Sequence, residues 1–154
     1  MGLDFYVVAM RKDHIKYFDD GEKRYWCKED LELAYGRKSW ELVHTLGCPV
    51  YDPCAGDLTL DAWIDLQEKL ANIGPWLEEI RTAFEAEDKQ YDTPRYKDLR
   101  DKYYEWYDNS FPDETPQLGY DFSVGYMITF WEAADEVLKY LEDPDWEVWM
   151  LASY

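Results

Sequence analysis

The chain has 154 residues, and its 34 acidic and 16 basic side chains give a formal charge of −18. With 47% hydrophobic and 18% aromatic residues it can bury a core, so disorder is excluded and one domain spanning residues 1–154 is expected. No apolar run approaches the roughly 18–20 residues of a spanning helix, Met1-Gly2-Leu3-Asp4 lacks the basic and apolar regions expected of a signal peptide, and three cysteines suit a reducing cytoplasm better than a secreted disulfide framework.

Residues 3–10 are β-prone and apolar at nearly every position, which predicts a buried strand. Residues 11–30 are polar, with Asp19-Asp20-Gly21 as a turn signal, and predict a hairpin or long loop. A second strand is expected at Leu31–Tyr35. A short helix follows from Arg37 to Leu46, with Gly47 as its C-terminal cap. Thr59 caps a helix over residues 60–73, and Gly74-Pro75 ends it. Pro75 opens the next helix, to about Lys89, and Thr93-Pro94 repeats the start signal for one reaching Asn109. Residues 110–120 form a loop. Ser123 caps a long helix over 124–142, whose apolar residues recur at three- and four-residue intervals. Residues 146–154 end the chain as a strand. The fold class is therefore α+β: a small sheet that includes both terminal strands, packed against four or five helices. A helical bundle with decorative terminal strands is the alternative.

Met1-Gly2-Leu3-Asp4-Phe5-Tyr6-Val7, Tyr35-Gly36-Arg37-Lys38 and Trp146-Glu147-Val148-Trp149-Met150-Leu151-Ala152-Ser153-Tyr154 together resemble a group of small uncharacterised phage and prophage proteins. These begin Met-Gly-Leu-Asp-Met-Tyr-Leu, continue with a Tyr-Trp-Arg-Lys segment and end on a Trp-Glu strand closing in Ala-Ser-Trp or Ser-Ser-Trp. About a fifth of the chain carries the likeness. Gly36 replaces the group's Trp, and Trp40 and Val43 stand where its helix carries Asn and His, with His44 one step later. The resemblance implies a mobile-element origin and an α+β fold with paired terminal strands; it implies no activity.

The charge is uneven. Residues 1–50 are near neutral, with nine acids and eight bases, whereas residues 51–154 carry 25 acids and eight bases. Asp61, Asp65 and Glu68 fall within an arc of about 60° at helical spacing. Asp101, Glu105 and Asp108 repeat the pattern, and Glu132, Asp135 and Glu136 cluster on the long helix. Carboxylates four residues apart rise about 6 Å along the axis, comparable with the spacing of successive backbone phosphates. Such ridges can imitate a nucleic acid toward a basic protein, while direct contact with nucleic acid or an anionic membrane is disfavoured. Tyr104 and Tyr107 are candidate interface anchors, with Tyr96, Tyr103 and Trp106 as core residues of the same helix.

Other chemistry is weakly signalled. There is no Gly-rich phosphate loop and no His-Glu-x-x-His. Cys27, His44, Cys48 and Cys54 have ligand types that suit zinc, but their spacing does not match common knuckles, and ordinary thiols are the simpler reading. Arg37-Lys38 is either an anion site or a solvated pair balanced by Glu32 and Glu41. The leading expectation is a cytoplasmic, cofactor-free, anti-CRISPR-like inhibitor of phage or mobile-element origin. Its acidic helical faces would occlude a basic surface of a host nucleic-acid-binding defence effector. The alternatives are a small carboxylate- or metal-dependent hydrolase or nucleotide-processing enzyme, and a structural or assembly protein whose acidity only keeps it soluble.

Overall fold

A computed structural model describes residues 3–15, 31–47 and 54–153. The strands are β1 (Asp4–Arg11), β2 (Leu31–Arg37), β3 (Cys54–Asp57) and β4 (Trp146–Ser153). The helices among the described residues are α1 (Trp40–Thr45), α2 (Leu60–Ala71), α3 (Leu77–Glu85), α4 (Pro94–Ser110), α5 (Tyr120–Glu132) and α6 (Ala134–Leu141). The α+β expectation therefore holds, with both terminal strands in one antiparallel sheet of order β2-β1-β4-β3.

The register explains why β1 is apolar from Phe5 to Met10. Phe5, Val7 and Ala9 pair with Ala152, Met150 and Val148, and these six side chains face the helices in the main core. Tyr6 and Val8 pair with Leu151 and Trp149. On that opposite face Val8, Met10, Ile15 and Trp149 form a second buried cluster. Successive strand residues alternate between faces, so a strand buried on both sides has no polar position to spare. A bulge between Val7 and Val8 shifts the pairing with β2. Gly36 is required opposite Phe5, because a Cβ there would lie 2.2 Å from the ring.

The helices cover one face. α5 packs on β2 and α6 on β4; α3 lies against α5, and α4 against α3. The main core draws on both the near-neutral and the acidic parts of the sequence, from Phe5 and Leu42 to Leu66, Tyr103 and Met127. Thr59 and Thr93 cap α2 and α4 as expected, accepting from the backbone N–H of Ala62 and Tyr96. Gly47, with φ of 76°, follows α1.

Several expectations need correction. The long helix is two, α5 and α6, separated at Ala133. Gln67 Nε2 donates to the Phe130 carbonyl and Trp63 Nε1 to the Ala134 carbonyl, so α2 holds both sides of the break. Ser123 is not a cap: α5 starts after Gly119, whose φ of 96° favours glycine. The Ser123 hydroxyl instead donates to the Tyr120 carbonyl and meets the buried Tyr103 hydroxyl at 2.6 Å. Gly74–Trp76 form a 3-10 turn ahead of α3. The expected loop or hairpin over residues 11–30 lies mostly outside the described residues, and β3 was not anticipated.

Candidate functional site

α2 divides into three strips. Trp63, Leu66 and Leu70 are buried in the core. Asp61, Asp65 and Glu68 are exposed to solvent. Between these strips run Leu60, Ile64 and Ala71, apolar and exposed, with Ile64 at 41%. Glu132 ends α5, and Asp135 and Glu136 lie in the first turn of α6. All three are exposed, and the α6 pair complements the positive end of that helix dipole.

One acid from each of the α2 and α6 groups lines a groove of about 290 Å³. Trp63, Ile64, Ala71, Ala134 and Leu138 give it apolar walls, while Glu68 and Asp135 stand on opposite helices at its edge. Gln67 also lines it, and its Oε1 is buried without a hydrogen-bond partner among the described residues. Asp101, Glu105 and Asp108 are exposed on α4 and do not line this groove; Asp108 accepts from the Tyr120 hydroxyl. The groove thus brings together one residue of the α2 group, Glu68, and one of the α6 group, Asp135, while Asp65 lines a different concavity.

The aromatic anchors fare differently. Tyr104 is half-buried, with its ring edge-on to Phe84 and Tyr120 at 5.7 and 4.8 Å. Tyr107 has no exposed surface. It points inward with Tyr103 and Trp106 because α4 is covered along that side, so it cannot be an interface anchor. Of the expected core residues, Tyr103 and Trp106 are buried and Tyr96 is partly buried against the core.

A second concavity, of about 370 Å³, opens between α1, α2 and the loop after α4. Glu41, His44, Asp65, Lys69, Asp113 and Glu114 contribute its titratable lining. His44 Nδ1 and a Glu114 carboxylate oxygen are in direct contact, and Lys69 pairs with Asp65 at 2.7 Å. Glu41 is only 2% exposed, and loss of solvation pushes its carboxyl from 4.5 to about 7. The Tyr107 hydroxyl faces this carboxyl with geometry short of a regular hydrogen bond. Burial and the nearby Glu41 charge push the Tyr107 phenol upward. Glu41 is therefore not a solvated counter-charge to Arg37-Lys38; Arg37 instead lies 3.8 Å from Asp4.

Sequence reasoning took Glu41 only as a surface counter-charge and passed over Glu114. The position of Glu41, one residue from the buried Leu42 and Val43, was the available signal. The expected ligand set of His44 with Cys27, Cys48 and Cys54 falls largely outside the described residues. Cys27 and Cys48 lie outside the described residues, as does the Cys54 side chain. Among the described residues no three His, Cys, Asp or Glu side chains group to hold a metal ion, and no helix is long and apolar enough to cross a membrane.

No family model, curated protein or solved structure matches the chain.

Proposed function

We propose that this chain is a protein-binding inhibitor of mobile-element origin, acting in the host cytoplasm. It lays its acidic helical surface against a basic, nucleic-acid-binding surface of a host defence protein and excludes the nucleic acid by occupying that surface. The distribution of ion pairs carries this reading. In the acidic part, Arg81 pairs with Glu78, Arg95 with Glu79 and Arg100 with Asp92, while Lys102 lies 3.5 Å over the Trp76 ring. Of the nine acids on the three helical groups, Asp65 alone has a cation partner among the described residues. Asp61, Glu68, Asp101, Glu105, Glu132, Asp135 and Glu136 are left with uncompensated charge facing solvent. Fields of this kind steer a basic partner and speed its association.

The test is capture of partners from host lysate at low and high salt, followed by a gel-shift assay of the captured protein's nucleic-acid binding. Wild-type chain should block that binding at low salt, and the folded Asp61→Lys, Asp65→Lys, Glu68→Lys variant should not. Equal blocking by both would overturn the reading.

A second reading, acid–base catalysis, is favoured by the cleft that joins Glu41 to the His44–Glu114 pair. A buried carboxyl raised to about 7 beside a carboxylate-paired imidazole supplies the group types used for general acid–base work. A nucleotide-hydrolysis activity abolished by His44→Ala would support it, and equal rates in the two proteins would dismiss it.

A further inference from the structure

We infer that the groove between α2 and α6 is a docking site for one basic amphipathic α-helix of a partner protein. The inference rests on the acidic-surface reading above and assigns that surface its contact point.

Two features of the groove point to this occupant. First, its walls are apolar, and Ile64 leaves a branched aliphatic side chain open to water next to Leu60, one turn earlier on α2. Ala71 and Ala134 have only methyl groups, so a partner backbone can approach closely there. From Ile64 to Ala71 the wall runs about 10 Å, the length of two helical turns, which suits apolar residues at i, i+3 or i+4 and i+7 on the incoming helix.

Second, Glu68 and Asp135 flank the groove from opposite helices, and among the described residues neither has a cation partner. A ligand in the groove therefore meets negative charge on both flanks of its apolar stripe. Lys or Arg on both sides of that stripe satisfies this arrangement. A second copy of the chain does not, because it would set carboxylate against carboxylate, and phosphate-bearing ligands are repelled in the same way.

The probe is a fluorescein-labelled 16-residue helical peptide with one leucine stripe flanked by lysines. Its controls are a peptide of identical composition with the stripe scrambled and a peptide with glutamate in place of lysine. Binding is read by fluorescence anisotropy in 50 and 500 mM salt, with circular dichroism to verify that each protein variant is folded. Patterned peptide should bind the wild type at least tenfold more tightly than scrambled peptide, and glutamate peptide should not bind. Ala71→Trp, which fills the groove, and Ile64→Asn, which removes its apolar wall, should each weaken binding at least tenfold at both salts. Glu68→Gln combined with Asp135→Asn should weaken it about fivefold or more at 50 mM salt and much less at 500 mM, where charges are screened within a few ångströms. Equal affinity for patterned and scrambled peptides, or indifference to both groove variants, overturns the groove as the dock while leaving the acidic-surface reading standing. Failure of any lysine peptide to bind at 50 mM salt overturns both.

Discussion

Glu41→Gln tests the energetics of the cleft directly, because it removes a charge while preserving shape. Glu41 has a carboxyl raised from 4.5 to about 7, with lost solvation as the main cause. A shift of that size corresponds to about 3 kcal/mol at 1.36 kcal/mol per pH unit. The folded state binds the proton more tightly than the unfolded chain. The contribution is therefore fully present below pH 4.5, declines as pH rises through the interval, and is lost above about 7. At pH 8 the wild type has to keep a charged carboxylate in the core, and the amide variant does not. Urea unfolding followed by far-UV circular dichroism at pH 5, 6, 7 and 8 measures the difference. The variant should match the wild type to within about 1 kcal/mol at pH 5 and exceed it by about 2–3 kcal/mol at pH 8. The gap should persist in 1 M salt, since desolvation, unlike repulsion among surface acids, is not screened. Parallel stability curves for the two proteins from pH 5 to 8 would refute the reasoning.

Other substitutions probe the scaffold that holds the two concavities. Arg100 is buried and donates to the Ala83 carbonyl and to both carboxylate oxygens of Asp92, so Arg100→Met should lower unfolding free energy by about 2 kcal/mol, visible as a reduced urea midpoint. Its loss should also release Asp92, whose carboxyl Arg100 holds below the usual range, and NMR titration of that side chain would report the rise. A Cβ on Gly74 would lie 2.3 Å from the Trp131 ring; Gly74→Ala should destabilise by about 1–3 kcal/mol, and an unchanged melting temperature would contradict that close approach. Thr59→Ala removes the cap of α2 and should cost about 1 kcal/mol, as measured by thermal unfolding.

Local signals made some elements readable and left others hidden. Thr59 and Thr93-Pro94 announce α2 and α4 through side-chain chemistry contained within a single turn, and their helices begin where those residues stand. β1 is legible for a different reason: an unbroken apolar run fits a strand covered on both sides. The break at Ala133 has no such mark, with no glycine or proline nearby. It is held by Trp63 and Gln67, which reach the Ala134 and Phe130 carbonyls from a distant helix. β3 was hidden too, because it pairs through its backbone with β4 and Cys-Ala-Gly-Asp has little strand preference of its own. The acidic residues of α2 and α6 could be named from helical spacing. Their approach across one groove could not, since it depends on how two helices far apart in the chain pack. Tyr107 went astray because periodicity places rings around a helix without saying how much of its circumference the neighbours cover. Glu41 is the converse case: a carboxylate reads as surface until tertiary packing encloses it.

The sheet order has a consequence for biosynthesis. β4 is the inner neighbour of both β1 and β3, so residues 146–153 supply the rungs that join strands made much earlier. While the ribosome is still translating the helices, β1 has only β2 to pair with, and β3 has no partner among the described strands. The sheet closes only after the last-made of these strands has emerged, through pairings such as Asp4 with Ser153 that span almost the whole chain. Contacts of that sequence separation form slowly, leaving the apolar edge of β1 open to chaperones in the interval.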